Sequence, residues 1–401
     1  MTILSDYDQF AGLHPDTGTL CNVLAYQMRN EKALSEAMLL GISGGVTVGY
    51  MPFYQKGYPP DAALVTRYSF YPIEKICQRL DIPVQIKQTL IPMRAVQNLE
   101  RVLKKGTPAL VWVDRYSLPY MGLEPEKGEW FFQPAVVYGY DEESDKVYIA
   151  DRSRKPFTVT TQQLADARGR TEHNKYKLIS IGVPDMNRLP DAIIEGIRAC
   201  IDLFQNGIDK QGFRGRFGFA GLQKWADDLT SIKDKERWNK LFPPGAPMYA
   251  ALTSLYEFIE TRGTGGSASR DMYADFLDEA TVILNIADLK NAARHFRKSA
   301  DAWRHLANML LPDDVPLLKE TRELILQKDR LFVEKGQQSV DEIQRISSRM
   351  DEIKNEAAKN FPLNEVYTYN LREAFREQII VLLELEKEAV SVLANAINDT
   401  L

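Results

Sequence analysis

The run from Gly106 to Asp151, GTPALVWVDRYSLPYMGLEPEKGEWFFQPAVVYGYDEESDKVYIAD, decides how the first half of the chain folds. Three segments in it, Pro108–Val113 (PALVWV), Pro134–Tyr140 (PAVVYGY) and Lys146–Ala150 (KVYIA), are short, rich in β-branched and aromatic residues, and bounded by Gly, Asp and Glu. Such runs read as strands. A fourth, Lys177–Val183 (KLISIGV), follows the same rule, and three of the four are expected to lie side by side in a central sheet. Short helical patterns surround them, so the chain up to about Pro184 reads as an α+β domain.

Beyond Met186 the strand-like runs stop. Apolar residues now recur at three and four positions, as in Ile343, Ile346, Met350, Ile353 and Ala357, which predicts amphipathic helices. Breaks are expected at Phe242–Pro247 (FPPGAP), Arg262–Ser267 (RGTGGS), Leu311–Pro316 (LPDDVP) and Asn360–Leu363 (NFPL), where Pro and Gly end helices. Two domains follow: residues 1–186, α+β, and residues 187–401, all-helical.

Composition narrows the function. The 401 residues are 44% apolar and 26% charged, the balance of an ordinary globular chain rather than a disordered or fibrous one. Fifty Lys and Arg against fifty-five Asp and Glu leave a net charge of −5 and no basic footprint for nucleic acid. No run of eighteen apolar residues suggests a membrane span, and Met1–Gly12 has neither basic residue nor apolar core for export, so a cytoplasmic protein is expected. A homo-oligomer stays open.

Three cysteines, Cys21, Cys77 and Cys200, are odd in number and far apart, which speaks against a disulfide framework or a zinc site. Cys77 and Cys200 lie in helical patterns and read as core. Cys21 follows a turn-like stretch (Pro15, Asp16, Gly18) and opens an apolar helix pattern, so its thiol is expected near a helix N-terminus, where amides and dipole favour thiolate. It is either a nucleophile or a buried structural cysteine. The four histidines, His14, His173, His295 and His305, show no metal-ligand spacing; no metal and no cofactor is expected.

Other polar candidates stand at strand ends and glycine clusters. Asp114, Tyr116 and Tyr120 follow PALVWV directly and are expected to line a pocket. Asp151 follows KVYIA and either orients a base across the sheet or starts a turn. Gly44 and Gly45, in GISGGVTVGY, lack a nucleotide fingerprint and read as close-packed backbone or as part of a substrate site. Arg262 and Arg270 flank RGTGGSASR, whose amides either hold a phosphate or carboxylate or are capped by Ser267 or Ser269.

In order and spacing, LCNVLAYQ around Cys21, LSEAMLLGISGGVTVGY (34–50), GTPALVWVDRYSLPY (106–120), PAVVYGYDEE and VYIADRS resemble the N-terminal domain of the butirosin biosynthesis protein H family. GFAGLQKWADDL (218–229) and IETRGTGGSASRDMYADFLDEA (259–280) resemble the helical domain that commonly follows it. The resemblance implies a papain-like, cysteine-peptidase-type fold and acyl transfer from a carrier-protein thioester to a small-molecule amine, in secondary metabolism. It implies Cys21 as nucleophile and Asp151 as the orienting carboxylate. The family's base His is expected at the opening of the strand QPAVVYGYD, where this chain has Gln133, and a His is frequent in the family where Leu20 stands. Gln cannot take a proton from a thiol near neutral pH. Two readings therefore stand together: a cysteine-dependent acyltransferase, impaired or with Gln133 as hydrogen-bonding or oxyanion group, and a non-catalytic binder of a small molecule or carrier. A third, an interaction surface on residues 317–357, rests on helical charge pattern alone.

Overall fold

The computed structural model describes residues 2–29, 33–53, 60–67, 71–123, 132–170 and 175–398. Strand β1 (Thr2–Ile3) is followed by α1 (Pro15–Gln27), α2 (Glu36–Ser43), the hairpin β2 (Val46–Phe53) and β3 (Asp61–Arg67), and α3 (Pro72–Arg79). Then come β4 (Val84–Lys87), α4 (Pro92–Leu103), β5 (Ala109–Asp114), β6 (Phe132–Asp141), β7 (Lys146–Ala150), β8 (Phe157–Val159), α5 (Thr161–Gly169) and β9 (Leu178–Ile181). The remainder is helical: α6 (Leu189–Asn206), α7 (Gly218–Thr230), α8 (Trp238–Leu241), α9 (Ala246–Glu260), α10 (Arg270–Leu284), α11 (Leu289–Leu310), α12 (Pro316–Lys335), α13 (Val340–Lys359) and α14 (Glu365–Asn398). All four expected helix breaks fall between helices. No helix among the described residues is long and apolar enough to cross a membrane.

Contacts divide the chain into two compact units. One comprises Met1–Leu39, Ile73–Leu189 and Gln327–Arg349; the other comprises Leu40–Pro72, Pro190–Leu326 and Met350–Leu401. The main division at 189/190 lies close to the expected boundary, but each unit also takes in a segment from the far side of it.

The first unit holds an antiparallel sheet in the order β4-β9-β5-β6-β7-β8, with β1 paired to the later half of β6. All four strand runs anticipated from the sequence are adjacent here, one more than expected. Strand β6 organises them. Its first half pairs with β5 from Val137↔Ala109 to Phe132↔Asp114, and its other edge pairs with β7. An extra residue at Tyr138 shifts the β6–β7 register, the local signature of a bulge. The side chains of Leu110, Val111, Val113, Val136 and Val137 are fully buried, as apolar residues in a central sheet should be. Helix α1 packs on β6, α5 packs on β5, and α4 packs on β5, β6 and β9.

The second unit is not all-helical. The β2–β3 hairpin belongs to it, with β2 against α7 and β3 against α9. Tyr50 of β2 stacks on Trp225 at 5.6 Å and accepts a hydrogen bond from Trp238 Nε1 at 2.9 Å. This stretch falls within the 1–186 domain expected from the sequence, but aromatic packing against helices claims it for the second unit.

Candidate active site

Helix α1 begins earlier than its sequence suggested. Pro15 occupies the first turn, where its fixed φ suits a helix and its missing N–H costs nothing, and His14 is the N-cap, its Nδ1 accepting from the Asp16 amide at 3.2 Å. Glu36 closes the same end: its carboxylate accepts from the amides of Leu13 (2.8 Å) and His14 (2.9 Å) and from the Thr17 hydroxyl (2.8 Å). Gly18 sits inside the helix because Gly12 of the incoming loop lies against it; a Cβ on Gly18 would come within 2.9 Å of the Gly12 Cα. The turn-like residues Pro15, Asp16 and Gly18 are thus helical.

This corrects the expected position of Cys21. It is the seventh residue of α1, not its first turn, and the helix dipole acts mainly within one turn of the end. The positive end is also already met by Asp16 and Glu36. Cys21 is half-buried, and its thiol donates to the Leu34 carbonyl at 3.4 Å. It lies on the helix that packs against β6, the strand carrying Gln133.

At the end of the sheet where β6 opens and β7 closes, a polar cluster is assembled around Asp151, which is fully buried. Gln133 Nε2 donates to Asp151 Oδ2 at 3.2 Å, and the Tyr120 hydroxyl donates to the same oxygen at 3.1 Å. Arg152 Nε pairs with the other oxygen, Oδ1, at 2.9 Å. Tyr120 was expected as a pocket residue; it is buried, stacked on Phe157 at 4.1 Å, and positions the carboxylate. Burial, and then the Asp151 charge, push its hydroxyl well above the usual tyrosine range, so it stays a donor.

Arg152 was missed by the sequence reading. It adopts φ +47° directly after Asp151, and its guanidinium lies 4.9 Å over the ring of Phe332, on α12. The same helix holds the following loop: the Val333 carbonyl accepts from the Arg154 amide at 2.7 Å and from the Ser153 hydroxyl at 3.2 Å. Asp329, on α12, also faces Arg152; burial raises its carboxyl to about 6 although Arg152 opposes the shift. The only local trace of this arrangement was the DRS that follows KVYIA.

Asp114 and Tyr116 form a separate arrangement. Asp114 is buried, accepts from the Tyr116 amide (3.4 Å) and the Ser117 hydroxyl (2.7 Å), and pairs with Arg170 Nε at 3.2 Å. It caps the short turn after β5 with both oxygens engaged. His14 is engaged in its cap, and His173 lies outside the described residues.

The remaining candidates belong to the second unit and differ in kind from what their sequence suggested. Arg270 is fully buried. Its Nε meets Glu386 Oε1 at 2.7 Å, one terminal nitrogen donates to the carbonyls of Thr66 (3.0 Å) and Ala268 (2.7 Å), and the other donates to the carbonyl of Thr47 at 2.9 Å. These internal acceptors, not a ligand, explain an arginine at this place. Gly45, with φ +71°, has no room for a side chain: a Cβ would stand 2.5 Å from the Tyr273 ring and 3.2 Å from the Cys200 Cβ. Gly44, at φ +126°, completes the turn from α2 into β2. Gly45 thus answers to close packing by Tyr273 and Cys200, and Gly44 to its positive φ. Burial pushes Cys77 up to about 12 and Cys200 up to about 11, as fits core thiols.

By fold, then, the first unit is an α+β domain with a half-buried cysteine on a helix laid against its sheet and a buried carboxylate cluster at one sheet end. Residues 14–152 match the family model for butirosin biosynthesis protein H, N-terminal, and residues 162–315 match a domain of unknown function (DUF4872). The chain carries this pair of domains in that order, an arrangement consistent with a butirosin biosynthesis protein H-like family. No curated protein matches the chain.

Proposed function

We propose that this chain is a cysteine-dependent acyltransferase-type protein with a papain-like N-terminal domain, moving an acyl or aminoacyl group from a carrier thioester to a small-molecule amine. The observation that carries the reading is the Gln133–Asp151 hydrogen bond at 3.2 Å, at the place where the family's base and orienting carboxylate are expected, together with the family match over Cys21. Cys21 is the nucleophile. Its thiolate attacks the thioester carbonyl, the C–S bond to the carrier breaks, and the carrier leaves as a thiolate. The amine then attacks the Cys21 thioester, forming the amide, returning the sulfur to Cys21 and releasing a proton to solvent.

Gln133 sets the limits of this chemistry. Its amide holds Asp151 as an imidazole N–H would, but it neither takes nor gives a proton. An ordinary cysteine is a few per cent thiolate at pH 7, and a thiolate leaving group needs no proton, so thioester exchange survives the loss of a base. Peptide hydrolysis does not, because its amine must be protonated as it leaves. Loss of general-base help costs about a hundredfold to ten-thousandfold.

The same substitution favours a second reading, a non-catalytic protein that retains the scaffold to bind a small molecule or carrier. The deciding experiment is incubation with an acyl-thioester mimic followed by intact-mass measurement. A single acyl adduct on the wild-type chain that is absent from Cys21→Ala supports transfer. Equal labelling of both, or none on either, overturns it, and undiminished ligand affinity in Cys21→Ala then favours the binder.

A further inference from the structure

At the far edge of the same sheet, Gln85, Lys87, Lys105, Thr107 and Ser180 line a half-open pocket of about 170 Å³, with Gln85 and Lys105 exposed at its rim. This is well beyond the room a single water needs. Gln85 and Lys87 alternate along β4 and so share a face, and Ser180 stands directly opposite Gln85 on β9. Thr107 enters from the turn before β5, and Lys105 from the end of α4. Four strand-to-strand steps, roughly 19 Å, separate β4 from β7, which delivers Asp151, so this is not part of the site described above.

The charges here are of one sign. Lys87 is half-buried; desolvation first, and then the neighbouring cations Arg101 and Lys105, hold its ammonium below the usual lysine range. The neighbouring Lys104 is paired with Glu100, but neither Lys87 nor Lys105 has a carboxylate partner among the described residues. Like charges gathered at a cavity, with two hydroxyls and an amide on its wall, are a repulsive arrangement that an anion would relieve.

We propose that this cavity is an anion subsite for a phosphate group, with Lys87 and Lys105 supplying charge and Gln85, Thr107 and Ser180 supplying hydrogen bonds. The assignment is independent of the acyl-transfer reading. The phosphate is either free or carried by a small phosphomonoester. Titration calorimetry of the full chain, at constant ionic strength, with inorganic phosphate and separately with ribose 5-phosphate tests it. Saturable one-to-one binding is expected, weakened about tenfold or more in Lys87→Gln and in Lys105→Gln, and unchanged in Lys104→Gln. Melting curves without phosphate establish that each variant is folded. Tighter binding of ribose 5-phosphate identifies the group as part of a larger ligand; equal or weaker binding identifies free phosphate. No saturable binding of either probe by about 10 mM, or affinity unaltered in both lysine variants, overturns the proposal.

Discussion

Gln133 donates its side-chain N–H to the buried carboxylate of Asp151 at 3.2 Å, so the group beside that carboxylate is a neutral amide that cannot carry a proton. Tyr120 and Arg152 complete the shell of that carboxylate. On the proposed acyl-transfer reading, that shell holds the orienting carboxylate while residue 133 cannot move a proton.

On the same reading, a base placed at position 133 should raise the rate. Gln133→His is expected to raise thioester-dependent acyl transfer by about a hundredfold or more, with a pH profile that acquires a step near 6 to 7. Rates measured across pH 5.5–8 check this. A Gln133→His chain that folds and shows neither the gain nor the new step would mean that Cys21 and residue 133 do not act together.

Tyr120→Phe removes one of the two hydrogen bonds to Asp151 Oδ2 and no ring contact. A stability loss of about 1–3 kcal/mol is expected, because a buried carboxylate oxygen loses a donor. Thermal or urea unfolding measures it, and an unchanged midpoint would show that Gln133 alone suffices.

The three thiols should separate cleanly by reactivity. With Cys77 pushed up to about 12 and Cys200 to about 11 by burial, iodoacetamide near pH 8 is expected to modify Cys21 first in the native chain. Peptide mapping after short exposure reads the order. Faster modification of either buried cysteine would contradict the packing described for it.

Arg270→Met leaves Glu386 buried without its cation. A cost of about 3–5 kcal/mol is expected, and the double variant Arg270→Met with Glu386→Gln should recover part of it, since the uncompensated charge is then gone. Unfolding midpoints of the two chains provide the comparison.

Asp329 predicts a pH dependence whose sign can be worked out. Its folded carboxyl titrates at about 6, above the ordinary 3.8, so the native state holds the proton more tightly than the unfolded chain. Stability from this group is therefore present at low pH and is lost as pH rises from about 4 to about 6, by an amount on the order of 3 kcal/mol. Relative to wild type, Asp329→Asn should gain stability across that interval and hold the gain at pH 7. A difference between the two chains that is flat with pH would refute the assignment.

Part of this architecture was legible before the structure. Runs rich in β-branched and aromatic residues named four strands, three of them expected to be neighbours, Pro- and Gly-containing breaks named four helix boundaries, and the apolar helix faces around Cys77 and Cys200 placed both thiols in the core. The start of α1 was misread although its signals are local, because Pro15, Asp16 and Gly18 serve a helix's first turns as readily as a loop.

What stayed hidden in the sequence depends on partners far away along the chain. Arg270 reads as a ligand-binding arginine until Glu386 and the carbonyls of Thr47 and Thr66 surround it. Asp151 reads as a turn residue until Tyr120 and Gln133 converge on it and Phe332 and Val333, some 180 positions later, brace Arg152 and the next loop. Element type follows from periods of two and 3.6 residues, which a single chain displays in its order of side chains. Which elements share a core, and which polar groups are buried together, follows from long-range packing and the need to pair every buried charge, and only the folded chain expresses those.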